Sequence, residues 1–196
     1  MNAAALAWPS ARHAGAASPR RAELLQQLKL DFQVIPSNAT EIVDEQLSPF
    51  EICQLNAYRK ARVVAKKYPD RLVLGADTLV FLDGDILGKP AGPAEAERML
   101  TRLQGRTHQV VTGINLIHLR IHRERVFAVS TDVTFHPLDA GQIRDYLARV
   151  NPLDKAGAYA IQEHGDRIIS EISGSYSNVV GLPIERLRTE LHSWAA

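Results

Sequence analysis

The stretch R-L-V-L-G-A-D-T-L-V-F-L-D-G-D-I-L-G-K-P, residues 71–90, decides the architecture. Residues 71–75 form a short apolar run, and residues 79–87 read as a β-hairpin. The hairpin turns at Asp83-Gly84, a dipeptide that tolerates the positive φ of a two-residue type I′ connection. On the N-terminal side, Ser48-Pro49-Phe50-Glu51 is a capping box with proline in the first helical turn, and it predicts a helix to about residue 67. On the C-terminal side, Gly92-Pro93 opens a helix with Ala96, Met99, Leu100 and Leu103 at i, i+3, i+4 and i+7. Gly105 stands where a helix stop belongs. Helix, strand, hairpin and helix in succession predict an α/β fold with a mixed central sheet flanked by helices.

The pattern continues outward. Leu24, Leu25 and Leu28 share a helix face after Pro19. Asp139 and Gln142 cap a helix carrying Ile143, Tyr146, Leu147 and Val150, and Pro183 precedes Ile184, Leu187, Leu191 and Trp194 at the same period. Residues 108–119 and 126–135 are long, β-branched runs expected to pair across a turn at 120–125. These apolar stripes read as core. There is no internal repeat and no low-complexity linker.

With 196 residues, 45% of them hydrophobic and 23% charged, the chain has the balance of one globular domain, or one unit with two lobes. Its net charge of +1 argues against recruitment to nucleic acid or an anionic membrane. No apolar run reaches the roughly 20 residues that span a bilayer. The lone Cys53 excludes an internal disulfide framework and points to a reducing, cytoplasmic compartment. Residues 1–17 are alanine-rich and lack the regions of a signal peptide. The expected division is an N-terminal segment, 1–17, followed by one domain, 18–196.

Polar residues cluster in segments that a core does not require. Ser18-Pro19-Arg20-Arg21 opens a helix, where free amides and two arginines favour a phosphate, or else form a solvated basic helix start. Gly75-Ala76-Asp77-Thr78 follows an apolar run and is expected at a strand end, where a carboxylate can hold a metal or take a proton, or simply cap the strand. Gly88-Lys89-Pro90 offers a point charge, but no Walker A pattern precedes it. Residues 151–183 gather small and amide-bearing side chains suited to a ligand's polar edge or to turns. The histidines show no zinc-type spacing, Ser18 lacks a nucleophile elbow, and Cys53 falls inside a helix as packing.

Together and in order, these segments resemble the Maf family of nucleoside triphosphate pyrophosphatases. The matching motifs are S-P-R-R-A-E-L-L (18–25), G-A-D-T (75–78), D-G-D-I-L-G-K-P (83–90), L-Q-G-R-T-H-Q-V-V-T-G (103–113), D-K-A-G-A-Y (154–159) and G-S-Y-S-N-V-V-G-L-P (174–183). The last two forms look like the dTTP/UTP branch. The resemblance implies a Maf/ITPase-like fold with two lobes around a nucleotide-binding cleft. It also implies cleavage of a pyrimidine nucleoside triphosphate to its monophosphate and pyrophosphate, with Mg²⁺ or Mn²⁺. Asp77 matches the catalytic acidic residue, and Glu41 a second metal-binding carboxylate. Ser18, Arg20, Arg21, Lys60 and Lys89 match phosphate-binding positions, while Arg21, Thr78 and Gln162 match positions that set base specificity. A homodimer is the family expectation. The sequence departs from the family at Ala14-Gly15-Ala16-Ala17, where an apolar strand is usual and Ala16 replaces a serine. Glu163-His164 sets a charge beside Gln162. The alternatives are a non-catalytic nucleotide-binding regulator of septation and an enzyme removing inosine or xanthosine triphosphates.

Overall fold

The computed structural model describes residues 3–5 and 18–195, so the expected weak strand at residues 14–17 lies outside the described residues. In chain order the elements are β1 (Ala3–Ala5), α1 (Pro19–Gln26), β2 (Ile35–Ser37), α2 (Pro49–Ala65), β3 (Val73–Leu82), β4 (Asp85–Leu87), α3 (Pro93–Leu103) and β5 (Thr107–His118). There follow β6 (Arg123–Phe135), α4 (Ala140–Leu147), β7 (Ile169–Ser173), α5 (Tyr176–Val180) and α6 (Ile184–Ala195), with single 3₁₀ turns at Ala156–Ala158 and Gly165–Arg167. The α/β class expected from the sequence is the one observed.

Five strands form one sheet in the order β4-β3-β5-β6-β7, and β1 pairs with β2 in a separate ribbon. β4 runs antiparallel to β3 with Leu82 opposite Asp85, so the turn is the two residues Asp83 and Gly84. Their φ values of 52° and 95° are the left-handed pair that the dipeptide predicts. β7 runs antiparallel to β6 through a register shift at Thr134/Phe135.

One expectation is corrected. The apolar run at 71–75 and the first arm of the hairpin are a single ten-residue strand, β3, so Asp77 and Thr78 sit in mid-strand rather than at a strand end. A buried carboxylate is tolerated there because side chains outside the sheet partner it, as described below.

The chain forms two compact units, one made of Met1–Asp77, Thr112–Val129 and Gly181–Ala196, the other of Thr78–Val111 and Ser130–Val180. In the first unit, α2 begins with the expected capping box: the Glu51 amide donates to Ser48 Oγ at 3.3 Å and the Ser48 amide donates to Glu51 Oε2 at 2.8 Å. Its buried residues, Ile52, Cys53, Asn56, Ala57, Lys60, Ala61, Val64 and Ala65, follow the 3.6-residue period of one inward face. That face approaches two glycines very closely. A Cβ on Gly75 would strike the carbonyl oxygen of Ala57 and lie 2.9 Å from Ala61 Cβ, and one on Gly113 would lie 2.6 Å from the backbone nitrogen of Gln54. The helix backbone leaves no room for a methyl group. Gly75→Ala should therefore destabilise the protein by about 3 kcal/mol or more. At this chain length that corresponds to a fall in Tm of roughly 6–12 °C. A thermal melt by circular dichroism checks it, and an unchanged Tm would show that α2 can retreat.

The second unit has its own core, in which Val80, Leu82, Leu87, Leu100, Leu103, Val133, Phe135, Ile143 and Tyr146 are buried together. His108, Phe135 and Tyr159 meet edge to face with centroids 4.9–5.4 Å apart, and His108 Nε2 lies 2.7 Å from the Tyr159 hydroxyl. Burial pushes the His108 pKa down to about 4, so the ring is neutral near pH 7. The serine-rich segment before Pro183 is not an open loop: it contains α5, with Asn178 fully buried. Asn178 Nδ2 donates to Val110 O at 2.9 Å and to Thr131 Oγ1 at 3.0 Å. In this unit that amide holds strands together.

Candidate functional site

The candidate site is built in the first unit where α2 crosses β3. Side chains alternate along a strand, so Gly75 and Asp77 share a face. Gly75 admits the α2 backbone at Ala57 and Ala61, and Asp77, two residues on, then meets the side chains that α2 presents. Those are Asn56 and Lys60, four residues apart and therefore on one helix face.

Asp77 is 5% exposed and both its oxygens are engaged. Lys60 Nζ donates to Asp77 Oδ1 at 2.6 Å, and Asn56 Nδ2 donates to Asp77 Oδ2 at 3.1 Å. The same Lys60 ammonium donates to Glu41 Oε1 at 2.7 Å. One cation thus bridges two carboxylates from distant parts of the sequence, with the Lys60 and Asp77 side chains 6% and 7% exposed and that of Glu41 33%. Buried charges persist only when paired and hydrogen-bonded in this way.

Arg21 joins the cluster from α1. Its Nε donates to the Gly181 carbonyl at 2.8 Å. Burial lowers the Arg21 pKa from its ordinary value, and the charge of Asp77 acts in the opposite direction, which sets guanidinium and carboxylate in one electrostatic neighbourhood. Arg20 beside it is half-buried. Ser18 is the extended N-cap of α1, with φ −155° and ψ 102°, and its hydroxyl makes no capping hydrogen bond.

Of the residues expected from the sequence, Arg21, Glu41, Lys60 and Asp77 therefore converge, with Ser18 and Arg20 on the same helix start as Arg21. Thr78, Lys89 and Gln162 belong to the second unit. Thr78 is half-buried on β3, while Lys89 after β4 and Gln162 in a turn are exposed. Asn56 was not anticipated. Its signal was legible nonetheless: a polar residue on the apolar stripe of a helix, one turn before Lys60, has to be paired inside the fold.

The donor set fits a hard divalent cation. Mg²⁺ is usually held by one or two carboxylates together with substrate phosphates, not by an all-protein cage. Asp77 and Glu41 are two such carboxylates within reach of one charge, and no group of three or more His, Cys, Asp or Glu suited to a metal occurs among the described residues.

The sequence matches the family described as Maf-like protein over residues 14–194. Curated relatives cover most of it. A protein of Symbiobacterium thermophilum named dTTP/UTP pyrophosphatase is 50% identical over 169 residues, 86% of each chain. One of Moorella thermoacetica with the same name is 49% identical over 168 residues, 86% of this chain and 87% of its own. One of Syntrophus aciditrophicus, again so named, is 47% identical over 171 residues, 87% of this chain and 83% of its own.

Proposed function

This chain belongs to the Maf-like protein family, and on that premise we propose that it hydrolyses dTTP and UTP to the nucleoside monophosphate and pyrophosphate. The observation that carries the reading is the buried carboxylate pair of Asp77 and Glu41 bridged by Lys60, in a chain half identical to a relative named dTTP/UTP pyrophosphatase. A regulator that only binds nucleotide has no use for two carboxylates drawn together at such desolvation cost.

The amides at the start of α1, with the Ser18 hydroxyl and the Arg20 and Arg21 guanidiniums, take phosphate oxygens. Lys89 offers a further point charge for phosphate. Asp77 accepts a proton from water as the water oxygen bonds to the α-phosphorus and the bond from that phosphorus to the bridging oxygen breaks, releasing pyrophosphate. Lys60 holds the Asp77 carboxylate in position and offsets its charge. A divalent cation held by Asp77 and Glu41, Mg²⁺ or Mn²⁺, would supply charge neutralisation at the phosphates and acidify its bound water. Arg21, Thr78 and Gln162 select the pyrimidine. This division of labour suits phosphoryl transfer, which needs positioning and charge stabilisation more than covalent help.

The proposal treats residues 18–196 as one catalytic domain, supported by a family match that spans residues 14–194. It includes the homodimer expected of the family. A cytoplasmic location is also part of it, supported by a sequence with one cysteine, Cys53, which cannot form an internal disulfide. No helix among the described residues is long and apolar enough to cross a membrane.

The test is pyrophosphate release from a panel of nucleoside triphosphates with Mg²⁺ or Mn²⁺, with and without chelator. Release from dTTP and UTP should exceed that from GTP or ITP at least tenfold and stop on chelation. Release confined to purine nucleotides would remove the roles given to Thr78 and Gln162. Tight nucleotide binding without any release would favour the regulator instead.

A further inference from the structure

Glu41 stands on a segment with no regular structure of its own: residues 38–44 belong to neither helix nor strand. A carboxylate on such a segment keeps a fixed distance from Asp77 only if something ties the segment down. Asn56, 2% exposed, supplies that tie with its whole side chain. Its Oδ1 accepts from the Ile42 amide at 2.8 Å and its Nδ2 donates to the Ile42 carbonyl at 3.0 Å. The carboxamide therefore pairs with both backbone groups of the residue next to Glu41, as a peptide unit would in a sheet. The second hydrogen of Nδ2 goes to Asp77 Oδ2 at 3.1 Å. One planar amide thus touches both carboxylate-bearing elements, and its rigidity leaves little play between them. On the outer side Arg59 Nε donates to Thr40 O at 3.1 Å, an exposed contact that a buried one must dominate.

We infer that Asn56 is a positioning residue for pyrophosphate release: it holds Glu41 in register with Asp77 so that both carboxylates face a single cation. The inference rests on the reaction proposed above, but its consequence for cation binding does not depend on turnover. Asn56 needs no contact with the nucleotide for this role.

The experiment is a double-mutant cycle between Asn56→Leu, which keeps the branched heavy-atom skeleton and removes every hydrogen bond, and Glu41→Gln. Two quantities are read: kcat and KM with dTTP, and the affinity of the nucleotide-free protein for Mn²⁺ by electron paramagnetic resonance. With Glu41 present, Asn56→Leu should lower kcat at least tenfold, leave KM within twofold, and weaken Mn²⁺ binding at least fivefold. With Glu41→Gln, the same change should alter each quantity less than twofold, because there is no second carboxylate left to position. Equal losses in both backgrounds would mark Asn56 as a general structural residue and overturn the inference. Unchanged Mn²⁺ affinity in Asn56→Leu would overturn it whatever the activity. Should wild-type protein release no pyrophosphate, the proposed reaction fails and the Mn²⁺ arm still decides the role of Asn56. If Asn56→Leu does not fold, Asn56→Ser, which keeps a donor and acceptor at lower volume, carries the same cycle.

Discussion

Asp77→Asn should lower kcat for dTTP by about a thousandfold or more while the protein keeps its secondary structure. Loss of a proton acceptor alone accounts for roughly 10²–10⁴-fold, and the substitution also removes one of the two anions offered to a divalent cation. The change is isosteric, so β3 and α2 keep their packing. It is not silent for stability. Asp77 accepts hydrogen bonds on both oxygens, from Lys60 and from Asn56, and an amide can satisfy only one of those donors. A stability loss of about 1–3 kcal/mol should accompany the loss of turnover. Pyrophosphate release, with circular dichroism on the same sample, checks both. Activity within tenfold of wild type would show that another group accepts the proton.

Lys60→Met should give the largest loss of stability among single changes at the site. Removing one partner of a buried ion pair leaves an uncompensated charge and typically costs about 3–5 kcal/mol. Here the exposed side of the bridge matters less: Glu41 retains a third of its side-chain exposure and can hydrate, whereas Asp77, 7% exposed, cannot. The destabilised variant should respond to a divalent cation more strongly than wild type, because the cation then meets two carboxylates without a competing ammonium, and binding to the folded state stabilises it by mass action. Thermal melts of both proteins with and without Mn²⁺ read the difference. A Lys60→Met protein that melts like wild type, and is no more responsive to Mn²⁺, would show that the bridge carries no stability and no charge competition.

Much of this was legible in the sequence, for reasons that are local. Ser48 with Glu51 and Asp139 with Gln142 announce helix starts because a capping box is a short-range bond pattern, and both boxes are formed. Asp83-Gly84 announces the turn because positive φ is a property of those residues. The convergence of Glu41, Lys60 and Asp77 was not legible from spacing, since a segment without regular structure, a helix and a strand meet only in the folded chain; it came from family resemblance. Mid-strand placement of Asp77 was missed because a carboxylate in a run of apolar residues reads as an end signal unless its partners are known, and those partners lie 17 and 21 residues away. The helix at Tyr176–Val180, in which Ser177, Asn178 and Val180 are buried, was missed for a related reason: Gly, Ser and Asn have turn chemistry in isolation, and tertiary hydrogen bonds from Asn178 overrode it.

The first unit is assembled from three separated pieces of chain, of which Gly181–Ala196 comes last. That piece supplies the carbonyl that receives Arg21 Nε, 160 residues upstream, and the Ser193 and Trp194 carbonyls that receive the Arg123 guanidinium. A chain made from its N-terminus therefore emerges with the carboxylates, Lys60, Arg20 and Arg21 already present, yet without the acceptor that fixes Arg21. All of the second unit can be synthesised and folded in that interval. Competence for chemistry is delayed until residue 181 and the piece after it have been made, so an incomplete chain stalled before residue 181 would be folded in part and inert toward the nucleotide pool around it.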